Sequence, residues 1–186
     1  MPTTASDFQH RGTVADSTLG NRILKVNHAG EHGAVNIYSG QILLARFTAP
    51  AMLDELIEFR SHERRHRELF RAELARRGRP RCRSYWLCGI GGLTLGLMTG
   101  LFGATAIAAT TVAVERVVLR HLERQIAELE ILDPAATLTI KAIHDEEQQH
   151  HDRSAALAGT GTFWSRVLDP VVSTSTEAVI WLGMRL

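Results

Sequence analysis

The sequence predicts an all-α protein. Long segments rich in Ala, Leu, Glu and Arg repeat their apolar residues at a helical period, Pro and Gly interrupt them rarely, and no stretch of useful length alternates like a strand. Pro50 and Pro134 fall near expected helix starts, where proline is tolerated. The expected helices cover about residues 20–48, 51–78, 86–131, 135–158 and 163–184.

Length, charge and cysteine content narrow the class of protein. A chain of 186 residues can bury one hydrophobic core, so we expect a single domain over residues 20–186. Residues 1–19 lack the apolar segment of a secretory signal, and we expect a disordered tail there. The 21 basic and 20 acidic residues nearly balance, which argues against nucleic acid as a partner. Cys82 and Cys88 match no zinc or redox spacing, so both thiols are expected to stay reduced in cytoplasm.

An internal repeat relates acidic and histidine residues in the two halves of the chain. At one constant offset, Glu31, Glu63 and His66 recur as Glu115, Glu147 and His150, and Gln41 and Ile42 recur as Gln125 and Ile126. A solvated charged surface would have no reason to keep these positions. The two halves are therefore expected to be two copies of a helix pair.

Each half of the repeat contains one Glu-x-x-His tetrad, from Glu63 to His66 and from Glu147 to His150. On a helix, residues i and i+3 lie on one face, so the carboxylate and the imidazole can reach the same metal ion. A further glutamate precedes each tetrad at the same spacing in both halves, which completes the ligand set of a ferritin-like four-helix bundle. These ligands suit Fe(II) or Mn(II), and four carboxylates neutralise two divalent ions.

The alternative interpretation is that these residues form exposed, ion-paired helix faces, which either tetrad alone would allow. Glu115 argues against it, because this residue follows a charge-free run over residues 84–114. An unpaired carboxylate in so apolar a helix would be costly, so we expect a metal or cation partner. The spacing leaves four residues outside the ligand set, as groups around the ligands or as solvated charges: Glu146, Asp145, His62 and His151.

Two parts of the repeat resemble a known family. Residues 26–34 and 37–41 resemble the opening signature of the demethoxyubiquinone hydroxylase family of ubiquinone biosynthesis. Residues 111–115 and 145–152 are similar to its later signatures. The resemblance runs from about Asn21 to the C-terminus, with the six ligands in the order and spacing of the family.

The resemblance implies a di-iron monooxygenase that uses O2. Its substrate would be a polyprenylated demethoxyubiquinol, 2-polyprenyl-3-methyl-6-methoxy-1,4-benzoquinol, which is hydroxylated on the ring. The implied cofactor is two Fe2+ ions, with Glu63 and Glu147 as bridging ligands and Glu31, Glu115, His66 and His150 as terminal ligands. The sequence contains no Gly-x-Gly-x-x-Gly motif between a strand and a helix, so it does not indicate the electron donor. It also indicates no catalytic residues beyond the ligands. A complex of biosynthetic proteins or a homo-oligomer is compatible with this function.

The charge-free run over residues 84–114 is long enough to span a bilayer. Glu115 must reach the metal centre, however, which argues against a membrane-spanning helix. We therefore expect a peripheral, monotopic protein on the cytoplasmic face of the cell membrane, with apolar helical segments that face the membrane. The ridge Gly92, Gly96 and Gly100 permits close helix packing, either in a membrane or in the bundle. Five arginines are expected to meet anionic head groups: Arg76, Arg77, Arg79, Arg81 and Arg83.

Two other functions compete with this hypothesis. A ferroxidase or iron-storage protein would share the bundle, but its outer surface should be polar for cage assembly, and residues 84–114 are not. A non-catalytic membrane scaffold would instead pair its acids and histidines with the many arginines.

Overall fold

The computed structural model describes residues 5–159 and 163–186, with side chains from Thr18 onward. The helices are α1 (Ala5–Thr48), α2 (Leu53–Arg76), α3 (Tyr85–Leu101), α4 (Ala104–Leu129), α5 (Pro134–Ala158) and α6 (Phe163–Gly183), with a short 3-10 turn at Pro50–Met52. The described ranges contain no strand, which confirms the all-α class. The tail expected over residues 1–19 lies almost entirely outside the described side chains and stays a prediction.

The bundle consists of two helix pairs with one further helix packed on each. α1 packs against α2, and α4 against α5, as the repeat predicts. α3 lies along α1, and α6 lies along α4. Contacts between α2 and α5 and between α1 and α4 close the bundle.

The helix expected over residues 86–131 is wrong, because the chain bends between α3 and α4. Gly103 precedes α4 with a φ of 84°, a left-handed conformation that glycine adopts without strain. Its carbonyl oxygen then accepts a hydrogen bond from the backbone N–H of Ile107 at 3.0 Å. The bend allows α3 to turn back against α1 instead of continuing the axis of α4.

The glycine ridge of α3 packs inside the bundle, against α1. A Cβ atom at Gly92 would lie 2.2 Å from the carbonyl oxygen of Gly33, and one at Gly96 would lie 2.1 Å from that of Ile37. Only glycine therefore permits this approach of the two backbones. In the part of the chain that the structure describes, no helix is both long and apolar enough to cross a membrane.

Two apolar layers enclose a polar layer in the middle of the bundle. One layer contains Tyr38, Ile42, Leu56, Phe59 and Ile107, and the other contains Ile23, Phe70, Leu129, Ile140 and Ile143. Along each of α1, α2, α4 and α5, the predicted ligands lie between residues of these two layers. The fold thus buries the polar groups between two apolar layers.

The loop before α5 is fixed by Asp133. Its carboxylate accepts a hydrogen bond from the backbone N–H of Ala136, which caps α5, and accepts two more from the guanidinium of Arg77 at 2.6 and 2.7 Å. The side chain of Arg77 is 10% exposed and also contacts Glu73. This arginine is therefore a structural residue of the bundle, and its assignment to lipid head groups is wrong.

Candidate metal centre

The structure brings all six predicted ligands together in the middle layer. α1 provides Glu31, α2 provides Glu63 and His66, α4 provides Glu115, and α5 provides Glu147 and His150. Each of these residues is between 1% and 6% exposed. Six ionisable groups at this depth would be very costly without partners, so the site is built to hold charge.

The predicted ligands form two overlapping groups. Glu31, Glu63, His66 and Glu147 form one group, and Glu63, Glu115, Glu147 and His150 form the other. Within each group, one potential ligand atom from every residue lies within 4.8 Å of the others. Glu63 and Glu147 belong to both groups, which is the arrangement that bridging carboxylates between two ions require.

Both histidines turn the same nitrogen toward the carboxylates. His66 Nδ1 lies 2.9 Å from a Glu147 oxygen and 3.8 Å from a Glu63 oxygen. His150 Nδ1 lies 3.1 Å from a Glu63 oxygen and 3.5 Å from a Glu147 oxygen. The Nδ1 atoms are therefore the nitrogens available to a metal, and the Nε2 atoms point away from the cluster.

Burial and crowding perturb the ionisation of the cluster. Burial, followed by the nearby carboxylates of Glu63 and Glu147, raises the pKa of Glu31 and of Glu115 well above the ordinary value. Burial opposes the charged form of His150, but Glu147 and Glu63 outweigh it and raise its pKa to about 9. Burial likewise opposes ionisation of Glu147, but the nearby imidazoles of His150 and His66 lower its pKa. Without a metal, protons and imidazolium groups supply the positive charge.

Some buried atoms of the cluster lack hydrogen bonds. These atoms are Glu63 Oε1, Glu147 Oε2 and His150 Nδ1, and each is shielded from solvent. An unsatisfied buried acceptor costs about 1–3 kcal/mol, so such atoms call for a partner. Carboxylate and imidazole donors around a shared centre suit a divalent transition metal, and the residues present therefore fit a metal ion.

Polar side chains surround the ligands, two of them near the surface. Glu146 Oε2 lies 2.7 Å from His66 Nε2, and His62 Nδ1 lies 3.0 Å from His150 Nε2. Tyr38, fully buried, donates a hydrogen bond of 3.3 Å to Glu115. His151 instead pairs with Asp152 on the outside of α5. The structure thus places His62 and Glu146 beside the ligands and His151 among the solvated charges.

A cavity of about 260 Å³ reaches the carboxylates from the opposite side. Its walls come from α1, α3, α4 and α6 and are mainly apolar, with residues such as Ile37, Leu95, Val118 and Ile180. The four glutamates Glu31, Glu63, Glu115 and Glu147 line its inner end, whereas neither histidine ligand does. The cavity therefore offers a dry space for an apolar molecule directly at the cluster.

Comparison with known proteins decides the family. The family model described as ubiquinone biosynthesis protein COQ7 matches residues 18–183. The chain belongs to the COQ7 family. A COQ7 relative from Dictyostelium discoideum, named NADPH-dependent 3-demethoxyubiquinone 3-hydroxylase, mitochondrial, is 33% identical over 174 residues, covering 89% of this chain and 76% of the relative.

Other COQ7 relatives give the same result. The human protein of the same name is 32% identical over 196 residues, covering 98% of this chain and 87% of its own length. A Rhodospirillum rubrum protein named 3-demethoxyubiquinol 3-hydroxylase is 31% identical over 177 residues, covering 94% of this chain and 82% of its own. The resemblance inferred from the sequence motifs is confirmed.

The residues that line the cavity of this COQ7-family chain were not predicted from its sequence. The walls depend on the bend at Gly103 and on α6, which supplies Ser175, Thr176, Val179 and Ile180. One signal was available, since Gly103 stands directly before the helix-favouring run from Ala104. The position of α6 along α4 had no comparable signal in the sequence.

Proposed function

We propose that this chain is a di-iron monooxygenase that hydroxylates the ring of a polyprenylated demethoxyubiquinol, 2-polyprenyl-3-methyl-6-methoxy-1,4-benzoquinol, with O2 in ubiquinone biosynthesis. The observation that carries the proposal is the apolar cavity that ends on four buried glutamates in a member of the COQ7 family. A ferritin-like bundle supplies one glutamate from each of two helices and one Glu-x-x-His from each of the other two.

Two Fe2+ ions would be held between the two groups of ligands. Glu31 and His66 would be terminal ligands of one ion, Glu115 and His150 would be terminal ligands of the other, and Glu63 and Glu147 would bridge. Four carboxylates balance the charge of two divalent ions, which makes burial of the whole set tolerable. When bound, iron supplies the redox chemistry with O2, and the protein supplies position and a dry environment.

The residues of the chain hold the substrate and exclude water. The apolar walls of the cavity accept an aromatic ring and the start of a prenyl chain, and burial of that surface favours binding. Polar groups are few along the cavity: Asn27 is fixed by Gln125 on α4, and His121 by Glu177 on α6. Tyr38 holds the Glu115 carboxylate through its hydroxyl. A ring bound there would lie against the four glutamates, between mainly apolar walls.

We infer a peripheral association with the cytoplasmic face of the cell membrane, and the apolar mouth of the cavity supports the membrane contact. Leu87 and Gly91 line the cavity and are themselves exposed on α3. Trp86, Ile90 and Trp181 are also exposed, at 59%, 68% and 57%. An apolar surface of this kind suits the headgroup boundary of a bilayer, where a polyprenylated substrate resides.

A second cavity, of about 340 Å³, carries positive charge beside this surface. Its arginines are Arg67, Arg71, Arg79 and Arg81, with one acid, Glu68. Arg81 also stacks over the rings of Tyr85 and Trp86 at 5.1 and 4.9 Å. Each basic residue near an anionic membrane contributes about 1 kcal/mol. Of the five arginines expected from the sequence, Arg79 and Arg81 line this cavity, together with Arg67 and Arg71 of α2. The other three, Arg76, Arg77 and Arg83, do not line it.

Vesicle flotation tests the membrane contact. Vesicles that contain anionic phospholipid should carry the protein, and the double substitution Arg79→Ala with Arg81→Ala should weaken binding about tenfold or more. The matched control removes two exposed arginines elsewhere, Arg64→Ala with Arg124→Ala, and should have a small effect. Equal loss in both double variants would argue against a defined contact surface.

Deletion of the gene in the source organism tests the activity. The quinone pool should then shift to the demethoxy precursor, and the wild-type gene should restore ubiquinone. A gene carrying Glu63→Ala should not restore it. Unchanged ubiquinone in the deletion strain would contradict the proposal. Iron mineralisation by the purified protein without turnover of the quinol would instead support the ferroxidase alternative.

A further inference from the structure

The residue directly before each Glu-x-x-His tetrad differs between the two halves of the repeat. This residue is His62 on α2 and Glu146 on α5, and the two positions are related by the same offset in sequence as the ligands. The ligands themselves are matched in type: each proposed metal position has one terminal glutamate and one histidine, and shares the two bridging glutamates. Any difference between the two positions must therefore come from the residues around the ligands.

Each of these two residues contacts the histidine ligand of the opposite helix. Glu146 on α5 contacts Nε2 of His66 on α2 at 2.7 Å, and His62 on α2 contacts Nε2 of His150 on α5 at 3.0 Å. In both ligands, Nδ1 faces the carboxylates. Each imidazole must carry its proton on Nε2 to offer the Nδ1 lone pair to a metal, so the partner of Nε2 sets both tautomer and orientation.

The two partners differ in strength as acceptors. The carboxylate of Glu146, also contacted by Arg65, accepts the His66 Nε2–H with a charged oxygen. Such a carboxylate makes the imidazole a better metal ligand. The Nδ1 of His62 offers His150 only a neutral acceptor. The position that contains His66 is therefore the stronger one.

A second pair in the repeat breaks the symmetry in the same direction. Tyr38 and Leu122 are related by the offset that relates the ligands. Tyr38 donates its hydroxyl proton to a Glu115 oxygen at 3.3 Å, which draws electron density from that ligand. Leu122 has no hydroxyl to offer Glu31. The position that contains Glu115 and His150 is weakened at both of its terminal ligands.

We propose that His62 and Glu146 are positioning residues that make the two metal positions unequal. The position at Glu31 and His66 binds a divalent metal more tightly and fills first; the position at Glu115 and His150 fills second. This inference rests on the proposed di-metal centre and adds an order of loading that the ligand set alone does not contain.

Anaerobic titration of the metal-free protein with Fe2+ tests the order. Wild type should bind two equivalents in two steps whose dissociation constants differ by about tenfold or more, the range in which partners around ligands act. Glu146→Gln keeps the shape but removes the charged acceptor, and should weaken the first step about tenfold while leaving the second. His62→Glu should tighten the second step toward the first. Thermal unfolding of each metal-free variant checks that it folds.

A spectroscopic signature separates positioning from simple stability. With 57Fe(II), the first equivalent should give one Mössbauer doublet and the second equivalent another, and Glu146→Gln should mix the two from the start. His151→Gln is the matched control, because His151 is the neighbouring histidine on α5 but pairs only with Asp152 among the described residues. It should change neither step.

The outcomes also distinguish the two proposals. Two equivalents bound with one affinity would overturn the inequality and leave the di-metal centre standing. The same holds if Glu146→Gln weakens both steps equally, since that is the result of a structural role. Binding of fewer than two equivalents would overturn both.

Discussion

The two sides of the glutamate cluster are built from different material. On one side, α1, α3, α4 and α6 form an apolar cavity, and α2 and α5 contribute to it only Glu63 and Glu147. On the other side, α2 and α5 bring the histidine ligands against His62 and Glu146, whose side chains are 22% and 30% exposed. The comparison shows two different environments: one side is lined by apolar side chains, and on the other side polar residues contact the imidazoles of the proposed ligands.

Glu147, the proposed bridging ligand, belongs to both groups of ligands and lines the cavity, so its removal should have the largest effect. Glu147→Ala takes a ligand from both metal positions and leaves His66 without its 2.9 Å partner. We expect hydroxylation to fall by more than about 100-fold, because even partners around ligands are worth 10–100-fold. Iron content should fall with it, measured by elemental analysis. Asp145→Ala is the control, since that side chain is 95% exposed, and retention of two irons by Glu147→Ala would contradict the assignment.

A substitution in α3 should break the cavity side alone. A Cβ at Gly92 would meet the Gly33 carbonyl oxygen at 2.2 Å, so Gly92→Ala must push α3 away from α1. We expect a loss of stability of about 1–3 kcal/mol in urea unfolding, with reduced turnover but unchanged iron content.

The neighbouring glycine offers the control for that substitution. Gly91 has open space at its Cβ, so Gly91→Ala should keep or raise stability by up to about 1 kcal/mol through helix propensity. Similar destabilisation by both substitutions would show that helix packing at Gly92 is not the cause.

The metal side was predictable from sequence because its geometry is local. Glu63 and His66 lie on one helical face whatever the tertiary structure, and the repeat then defines the corresponding residues of α5. Asp133 before Pro134 is an equally local cap. The ends of most helices were placed within a few residues for the same reason.

The cavity side was not predictable because its geometry is tertiary. Helix is expected on both sides of Gly103, so the glycine itself was the one signal in the sequence, and its left-handed φ of 84° sets the bend. Arg77 shows the same limit, because in sequence it belongs to the same arginine-rich segment as the exposed arginines. In the structure, its side chain pairs with Glu73, one helical turn earlier, and with Asp133, from a distant part of the chain. Patterns of charge do not say which side of a helix another helix will cover.

The metal-free protein should become less stable at high pH, because the native ligand cluster then loses protons that stabilise it. Burial, with the nearby carboxylates, raises the pKa of Glu31 and Glu115, and Glu147 with Glu63 raises that of His150 from 6.5 to about 9 against the effect of burial. The native state therefore holds these protons to higher pH than the unfolded chain does, and stability is lost as the pH rises through the native pKa values. Glu147, with a lowered pKa, acts in the opposite sense but only below its ordinary value of 4.5.

Bound metal should offset this loss of stability at high pH, because the metal takes the place of the protons on the ligands and binds more tightly once they have dissociated. Between pH 6.5 and 9, the melting temperature of the metal-free protein should fall, and the gain in melting temperature on adding Fe2+ without oxygen should grow. Differential scanning calorimetry at several pH values measures both. A gain that is larger at pH 6.5 than at pH 9 would contradict this account of the charges.

The smallest expected effect comes from Tyr38, which lies beside the cluster without being a ligand. Tyr38→Phe keeps the ring against Phe59, at 5.8 Å between centroids, but removes the hydroxyl that donates to Glu115. Loss of that bond should cost about 1 kcal/mol in the stability of the metal-free protein, because it leaves a buried oxygen without its donor. Once metal is bound, the freed carboxylate is the better ligand, so the second step of Fe2+ binding should tighten a few-fold while the first stays unchanged. The chain has two tyrosines, and Tyr85→Phe, at a ring that stacks on His32 away from the ligands, is the control. A change in the first step would show that Tyr38 acts on the position that contains Glu31 and His66. That result would contradict the proposal that Tyr38 weakens the position that contains Glu115 and His150.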